Sequence, residues 1–391
     1  MTSQIAIFNP LGVAVASDTV ATLINEHGTK TQNNAEKMWP LSEEHRVVIA
    51  LNNSFSINDV PASLLISAWN RTLKRPLPTL VDYVVSFRDW LHNDTYLVNP
   101  DSDFSVMSFA LKDHFNYMRR HIIETARNQN MDDGEVETTF SDAANRGHNH
   151  LLGLKNFDDV EDSDDLELLD ASPIDIDAML NLIFEGFPGY DKVKTKLIEQ
   201  APLVLSRLQK MDSDTNLTFI GFGENDYFGS SIEFQIRGRY GKSVRGNIAE
   251  SFPPATHYTS GNISALAQRD AILGFSYGAE DRVLNRMKQK MWEYLIDLHE
   301  DEDAGMEAAD NFIDQLTRDI DQFSFETYLS PLLRTVEFLN LSDAAEFAES
   351  LVGIQAMRAK ASPHPAGVGG FIESLVIDKF SGVRWIKRLP K

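Results

Sequence analysis

Three pairs of short apolar runs, at the beginning, in the middle and at the end of the chain, constrain its fold more than any other feature. The first pair flanks the turn Asn9-Pro10-Leu11-Gly12, the second covers 217–222 and 231–237, and the third is a closing pair over 368–388. Each predicts a β-hairpin. Long stretches with apolar residues at helical spacing separate the pairs. Widely separated hairpins with helices between them predict an α+β layered fold.

The helical patterns also indicate how the chain is organised. They cover about 60–73, 79–97, 104–127, 177–209, 265–299, 305–324 and 326–360. Polar residues predict a loop over 25–36, and the acidic stretch 128–176 lacks regular apolar positions. We therefore expect one domain over 1–391, with a helical and acidic insertion at about 95–215 and additional helices at about 275–360.

Composition excludes several classes of function. The chain carries 36 Lys and Arg against 58 Asp and Glu, a net charge of −22, which argues against nucleic acid or anionic membrane as a main partner. It contains no cysteine, so disulfides, thiolate metal sites and a cysteine nucleophile are excluded. No apolar stretch approaches the roughly 18 residues of a membrane span, and no signal peptide is expected. These features are typical of a cytoplasmic globular protein.

Three local patterns resemble binding motifs but do not meet their requirements. The acidic run over 158–177 lacks the Asp-x-Asp-x-Asp-Gly spacing of a calcium loop. His148 and His150 have no third ligand in evidence, which favours a surface position. Gly241-Lys242-Ser243 is not preceded by a glycine at the spacing of a phosphate-binding loop, because residue 236 is Ile. No metal or cofactor is therefore expected.

The residue after the initiator Met carries the chemistry of greatest interest. Small second residues generally allow Met removal, which would give Thr2 a free α-amino group beside its hydroxyl. A threonine hydroxyl attacks an amide when a base takes its proton, and the terminal amine is one such base. That amine has a reference pKa of about 7.7–8.0, and a nearby Lys ammonium favours its neutral form. Lys37, held by Asp18, fits this role.

Thr2, the run Gly12-Val-Ala-Val-Ala-Ser-Asp18 and Lys37 resemble the opening of proteasome β-type subunits and their bacterial relatives, which are N-terminal nucleophile hydrolases. Asp18 lies 16 positions after Thr2, as in that family. The Gly369-Gly370 segment with its hairpin resembles the family's closing hairpin, and Phe219 to Gly223 resembles its Gly-Ser-Gly segment. The resemblance implies a four-layer αββα sandwich with extra helical insertions, and a backbone oxyanion hole at Leu51 or Asn52.

The resemblance implies a threonine peptidase that acts on peptide or protein substrates without a cofactor and assembles into a homo-oligomeric ring. Phe222 stands at the position of the family's Gly-Ser-Gly serine, and Pro365 and Val368 stand at those of an Asp and a Ser before the Gly-Gly pair. These departures favour an alternative, a catalytically inactive scaffold or partner-binding subunit. An acylase of small amides stays open, since a fold does not fix its substrate. In the simplest alternative, Asp18 and Lys37 form an ordinary ion pair.

Overall fold

The computed structural model describes residues 2–25, 28–94, 97, 99–158, 160, 162–211, 213–241, 243–249, 256, 261–267, 270–299, 301–361 and 367–390. The strands are β1 Gln4–Asn9, β2 Gly12–Asp18, β3 Ala21–Asn25, β4 Gly28–Gln32, β5 Met38–Pro40, β6 Arg46–Asn53, β7 Ser56–Ile57, β8 Val60–Pro61, β9 Thr215–Phe222, β10 Ser230–Tyr240, β11 Ser243–Ile248, β12 Asn262–Ala265, β13 Ile372–Asp378 and β14 Gly382–Lys387.

The helices are α1 Ala62–Asn70, α2 Leu80–Asn93, α3 Pro100–Gln129, α4 Asp133–Gly153, α5 Asp162–Asp170, α6 Ile176–Phe184, α7 Tyr190–Ser206, α8 Asp270–Tyr277, α9 Asp281–Asp297, α10 Glu302–Ser324, α11 Ser330–Phe338 and α12 Leu341–Ala361, with a π-helical turn, Phe325–Leu329, between α10 and α11. The protein is therefore a mixed α+β protein, as the hairpins and helical patterns predict. None of the helices within the described residues combines the length and the apolarity that a membrane crossing requires.

All three predicted hairpins are present, and they build two five-stranded antiparallel sheets. The first sheet has the order β12-β1-β2-β13-β14, so the opening and closing hairpins lie side by side. In its register Gln4 lies opposite Ser17, and Asp18 lies opposite Ile372. The second sheet has the order β11-β10-β9-β6-β5 and contains the middle hairpin. Both ends of the chain thus contribute adjacent strands to the first sheet.

Three apolar clusters show which elements pack together. One lies between the two sheets and joins β1, β2 and β13 to β5, β6 and β9; its members include Phe8, Val15, Val48, Ile220 and Leu375. A second packs the other face of the second sheet against α1 and α2. A third packs the other face of the first sheet against α8, α11 and α12. Residues of β1 alternate between two of these clusters, since Ala6 and Phe8 face the second sheet whereas Ile5 and Ile7 face the helices.

A fourth cluster forms the core of a helical insertion that comprises α3 to α7 and packs against Tyr240 of β10. The prediction of an irregular stretch over 128–176 is wrong for its largest part, because α4 and α5 occupy it. Helix α4 begins at a capping box of Asp132 and Glu135. Its buried residues, Val136, Phe140, Ala144 and Leu151, are sparse in an otherwise polar sequence. This sparseness hides the helical period.

Several other boundaries also differ from the predictions. The loop expected over 25–36 contains β4, which pairs with β3. The single helix expected over 265–299 consists of α8 and α9, which separate at Gly278, where φ is 74°. The helix expected over 326–360 is likewise interrupted between α11 and α12. Strands β11 and β12 are not predicted, because neither has a strongly alternating pattern.

We expect His114 of α3 to make the stability of the helical insertion depend on pH. Its Nε2 lies 3.1 Å from Gln200 Oε1, and burial, partly opposed by this hydrogen bond, lowers the pKa of His114. Because the folded pKa lies below the unfolded value of about 6.5, stability is full above about pH 6.5 and is lost as pH falls. We expect His114→Gln to reduce this loss when the free energy of unfolding is measured from about pH 8 to about pH 5.

The exposed His121 on the same helix provides the matched control. His121→Gln leaves the pH dependence as in the wild type. A His114→Gln protein whose unfolding free energy falls with acid as steeply as that of the wild type contradicts the assignment.

Candidate active site

Asp18 is the acceptor around which the site is built. It ends β2 and is fully buried, and its Oδ1 accepts hydrogen bonds from Ser3 N (2.9 Å) and Lys37 Nζ (2.7 Å). Its Oδ2 accepts from Gly369 N (3.0 Å) and Val20 N (3.3 Å). Four donors from four segments of the chain therefore satisfy this buried carboxylate, as a buried charge requires.

Lys37 directly precedes β5 and is 1% exposed. Besides Asp18, its ammonium donates to Val20 O at 2.6 Å. Burial lowers the pKa of Lys37, and the charge and hydrogen bond of Asp18 oppose this shift. The lysine is thus a buried cation whose position is fixed by one carboxylate and one carbonyl.

Thr2 lies next to this ion pair. Ser3, its neighbour, donates its N–H to the same Asp18 oxygen as Lys37, and Asp18 N donates to Ser3 O at 3.1 Å. The Ser3 nitrogen and the Lys37 ammonium are therefore roughly 6 Å apart at most, since both lie within hydrogen-bonding distance of one oxygen. Continuing the alternation of β1 back from Ala6 puts Thr2 on the side that faces the second sheet. Thr2 is 5% exposed.

Gln4 is a residue that the sequence analysis missed. It is fully buried, and its Nε2 donates to Leu51 O (3.1 Å) and approaches Lys37 O at 3.4 Å. Gln4 thereby joins the strand that carries Thr2 to the strand ends that carry Lys37 and Leu51. A lone polar residue in an apolar strand was the available signal.

We expect Gln4→Leu to lower the free energy of unfolding by about 1–3 kcal/mol, because two buried carbonyls lose a donor. Chemical denaturation measures this effect. Gln315→Leu, an exposed substitution on α10, is the control and leaves stability almost unchanged. Equal effects of the two substitutions would show that the hydrogen bonds of the Gln4 side chain contribute nothing to the free energy of unfolding.

The end of β6 lies at the same end of the sheets as Thr2. A Cβ on Gly229 would contact both Val13 and Phe222. Val13 pairs with Phe8 of β1, and Phe222 pairs with Arg46 of β6, so Phe8 and Arg46 lie at the same end of the two sheets. Gln4 by contrast contacts Leu51. Going from Phe8 back toward Thr2 therefore follows the same direction as going along β6 from Arg46 to Asn53. Thr2 and Asn53 thus lie at the same end of the sheets.

The structure separates the two predicted oxyanion-hole residues. Leu51 N already donates to Lys37 O at 2.9 Å, so its N–H is occupied by sheet pairing. Asn52 lies opposite Asn216 of β9, and its side-chain amide donates to Leu266 O at 2.9 Å. Because N–H directions alternate along a strand, the Asn53 N–H points to the same side as that of Leu51, past the end of β5. Asn53 has a positive φ of 64°.

Phe222 does not lie near Thr2, contrary to the position that the Gly-Ser-Gly comparison gave it. It pairs with Arg46, whereas Leu217 pairs with Leu51, the level at which Lys37 lies. Phe222 is five residues from Leu217 along β9, which corresponds to roughly 17 Å. The absence of a serine at residue 222 therefore has no bearing on the groups around Thr2.

The closing Gly-Gly segment does lie at the site. Besides the bond from Gly369 N to Asp18, Phe371 N donates to Thr19 Oγ1 at 3.0 Å. Gly370 has a φ of 76°, and a Cβ there would lie 3.0 Å from Thr19 Oγ1, so the approach requires glycine. Val368 is buried at 1% exposure. Pro365 lies outside the described residues.

A cavity of about 160 Å³ lies beside Ser54, which follows β6, and none of Thr2, Asp18 and Lys37 lines it. Its lining is rich in hydroxyl and amide groups, from Ser54, Ser56, Asn58, Ser105 and Ser213. Within the described part of the chain, no group of three His, Asp or Glu side chains has the arrangement of a metal site. The site can thus offer a hydroxyl, a buried ion pair and backbone donors.

A scan against protein-family models finds no match to this chain, and no curated protein sequence matches it significantly. The resemblance to proteasome-like hydrolases therefore rests on the residues named above.

Proposed function

We propose that the chain is a proteasome-like N-terminal nucleophile hydrolase, a threonine peptidase whose nucleophile is Thr2 after removal of Met1. The observation that carries this proposal is the sharing of Asp18 Oδ1 between the Ser3 N–H and the Lys37 ammonium. This contact holds a buried cation beside the residue whose amine would act as base. The succession of helices, sheet, sheet and helices supports the four-layer αββα sandwich of such enzymes.

In the proposed reaction the Thr2 hydroxyl attacks the carbonyl carbon of a peptide bond, and its proton passes to the Thr2 α-amine. The Lys37 charge disfavours a second charge nearby and so keeps that amine neutral before attack. The backbone N–H of Asn53 stabilises the oxyanion. The tetrahedral intermediate expels the amine product, which takes the proton, and leaves an ester on Thr2. Water then hydrolyses the ester and restores the hydroxyl.

A catalytically inactive scaffold is the second candidate, and a residue beside the Gly-Gly segment favours it. Val368 lacks the hydrogen-bonding groups of a serine. The argument from Phe222 no longer supports this candidate, because that residue is remote from Thr2. Assembly into a homo-oligomeric ring is proposed from the resemblance alone.

Intact mass and N-terminal sequencing of the protein made in cells test the proposal first. We expect Thr2 to be the first residue, and a threonine-directed electrophile to add one equivalent that is lost in Thr2→Ala. Retention of Met1 in all molecules excludes catalysis by the terminal amine. Removal of Met1 without labelling or peptide hydrolysis favours the scaffold.

A further inference from the structure

Helices α9 and α10 form an antiparallel hairpin that the proposed function does not use. A short connection joins them, and Trp292 Nε1 donates to Asp310 Oδ1 across the pair at 2.8 Å. None of the described residues of α9 is buried. The half-buried apolar residues Leu284, Met291 and Leu295 recur at heptad-like spacing, which is typical of a helix that packs along one seam.

A second apolar stripe on α9 has no cover. Val283, Met287, Tyr294 and Leu298 are 55%, 56%, 63% and 59% exposed. At 100° per residue these four side chains fall within an arc of about 60° on one side of the helix. A continuous exposed stripe of large apolar residues marks an interaction surface.

The stripe is self-complementary when two copies of α9 pack antiparallel. Pairing about the point between residues 290 and 291 brings Val283 opposite Leu298 and Met287 opposite Tyr294. The flanking charges follow the same symmetry, since Arg286 and Lys290 border the first half of the stripe and Glu293 and Asp297 border the second. Antiparallel packing places Arg286 beside Asp297 of the second copy.

The ion pairs within one molecule do not prevent Arg286 from pairing with Asp297 of a second copy. Lys290 already pairs with Glu293, and Arg282 lies 3.8 Å from Asp270. Arg286 donates to Gln289 at 3.0 Å, but among the described residues no ion pair joins it to a carboxylate. A carboxylate supplied by a second copy satisfies this cation.

We propose that this face of α9 binds the same face of a second copy, so that two α9–α10 hairpins form an antiparallel four-helix bundle about a twofold axis. A closed twofold contact needs a surface that is complementary to itself, and the stripe meets this requirement in the order of its apolar residues and in its charges. A nucleic acid or an anionic membrane is a poor alternative, because the hairpin's connecting end carries Asp297, Asp301, Asp303, Glu307 and Asp310. The proposal is independent of any catalytic role for Thr2.

A disulfide test uses the absence of cysteine in the chain. Residue 290 borders the stripe next to the expected twofold axis, so we expect Lys290→Cys to form a disulfide between two copies under mild oxidation. Asn285→Cys, on the opposite side of α9, is the matched control and does not cross-link. Equal cross-linking of both variants, or none with Lys290→Cys, overturns the proposal.

Native mass and sedimentation measure the same contact without a covalent bond. Tyr294→Lys is expected to weaken self-association by roughly tenfold or more. Leu182→Lys, which changes a 78% exposed residue of α6, leaves it unchanged. Arg286→Asp weakens the contact, and the double change Arg286→Asp with Asp297→Arg restores it. A full-length protein that stays monomeric at high micromolar concentration, or an assembly that Tyr294→Lys does not affect, contradicts the proposal.

Discussion

Thr2→Ala is expected to lower peptide hydrolysis by a factor on the order of 10⁴ or more, because it removes the proposed nucleophile. Alanine is small enough to allow Met1 removal, so the variant keeps the free terminal amine and loses only the hydroxyl. The N-terminal backbone contact of Ser3 with Asp18 does not involve the Thr2 side chain. The fold should therefore be retained. Turnover of a fluorogenic peptide library by wild type and variant measures the effect.

Thr2→Ser is the informative control for this prediction. Serine keeps the hydroxyl and the amine on the same atoms, so we expect it to retain measurable hydrolysis. A protein in which alanine and serine at residue 2 give the same rate as the wild type does not use Thr2. A contaminating hydrolase is detected in the same way, since its rate is insensitive to both substitutions.

Asp18→Asn is expected to cost about 3–5 kcal/mol of folding free energy, the range for breaking one partner of a buried ion pair. The amide is uncharged and has one acceptor oxygen, so it cannot accept all four hydrogen bonds, and its NH2 group faces either the Lys37 ammonium or the N–H groups of Val20 and Gly369. Activity is expected to fall as well, since Lys37 loses the group that keeps it charged and in place. Chemical denaturation and the peptide assay separate the two effects.

Lys37→Met is expected to cost less stability than Asp18→Asn. After the lysine is removed, the Asp18 carboxylate still accepts from the N–H groups of Ser3, Val20 and Gly369. The double variant is expected to be more stable than the sum of the two single effects, because it leaves neither charge unpaired. If the two single variants lose equal folding free energy, and the double variant loses the sum of both, the ion pair is not coupled to these backbone donors.

The same contacts explain how far the sequence alone predicts the site. The spacing of Asp18 after Thr2 and the family resemblance that points to Lys37 predict this pair, and the structure joins the two side chains at 2.7 Å. Gln4, the Val20 carbonyl and the Gly369 N–H were not found, because backbone and lone polar groups have no sequence signature. The Gly-Ser-Gly comparison misplaced Phe222, since the residue order within β9 does not reveal which strand end lies near Thr2.

Local sequence patterns by themselves determine the three hairpins and the helices α1, α2, α3, α6 and α7, because alternation, helical periodicity and turn residues act over a few neighbours. They fail for α4, whose buried residues are sparse, and for β12, which is held by pairing with β1. Only the tertiary structure decides that strands from the two ends of the chain lie side by side and bring Asp18 to Gly369. That contact spans 351 positions, and it forms because burying both sheets' apolar faces outweighs any local preference.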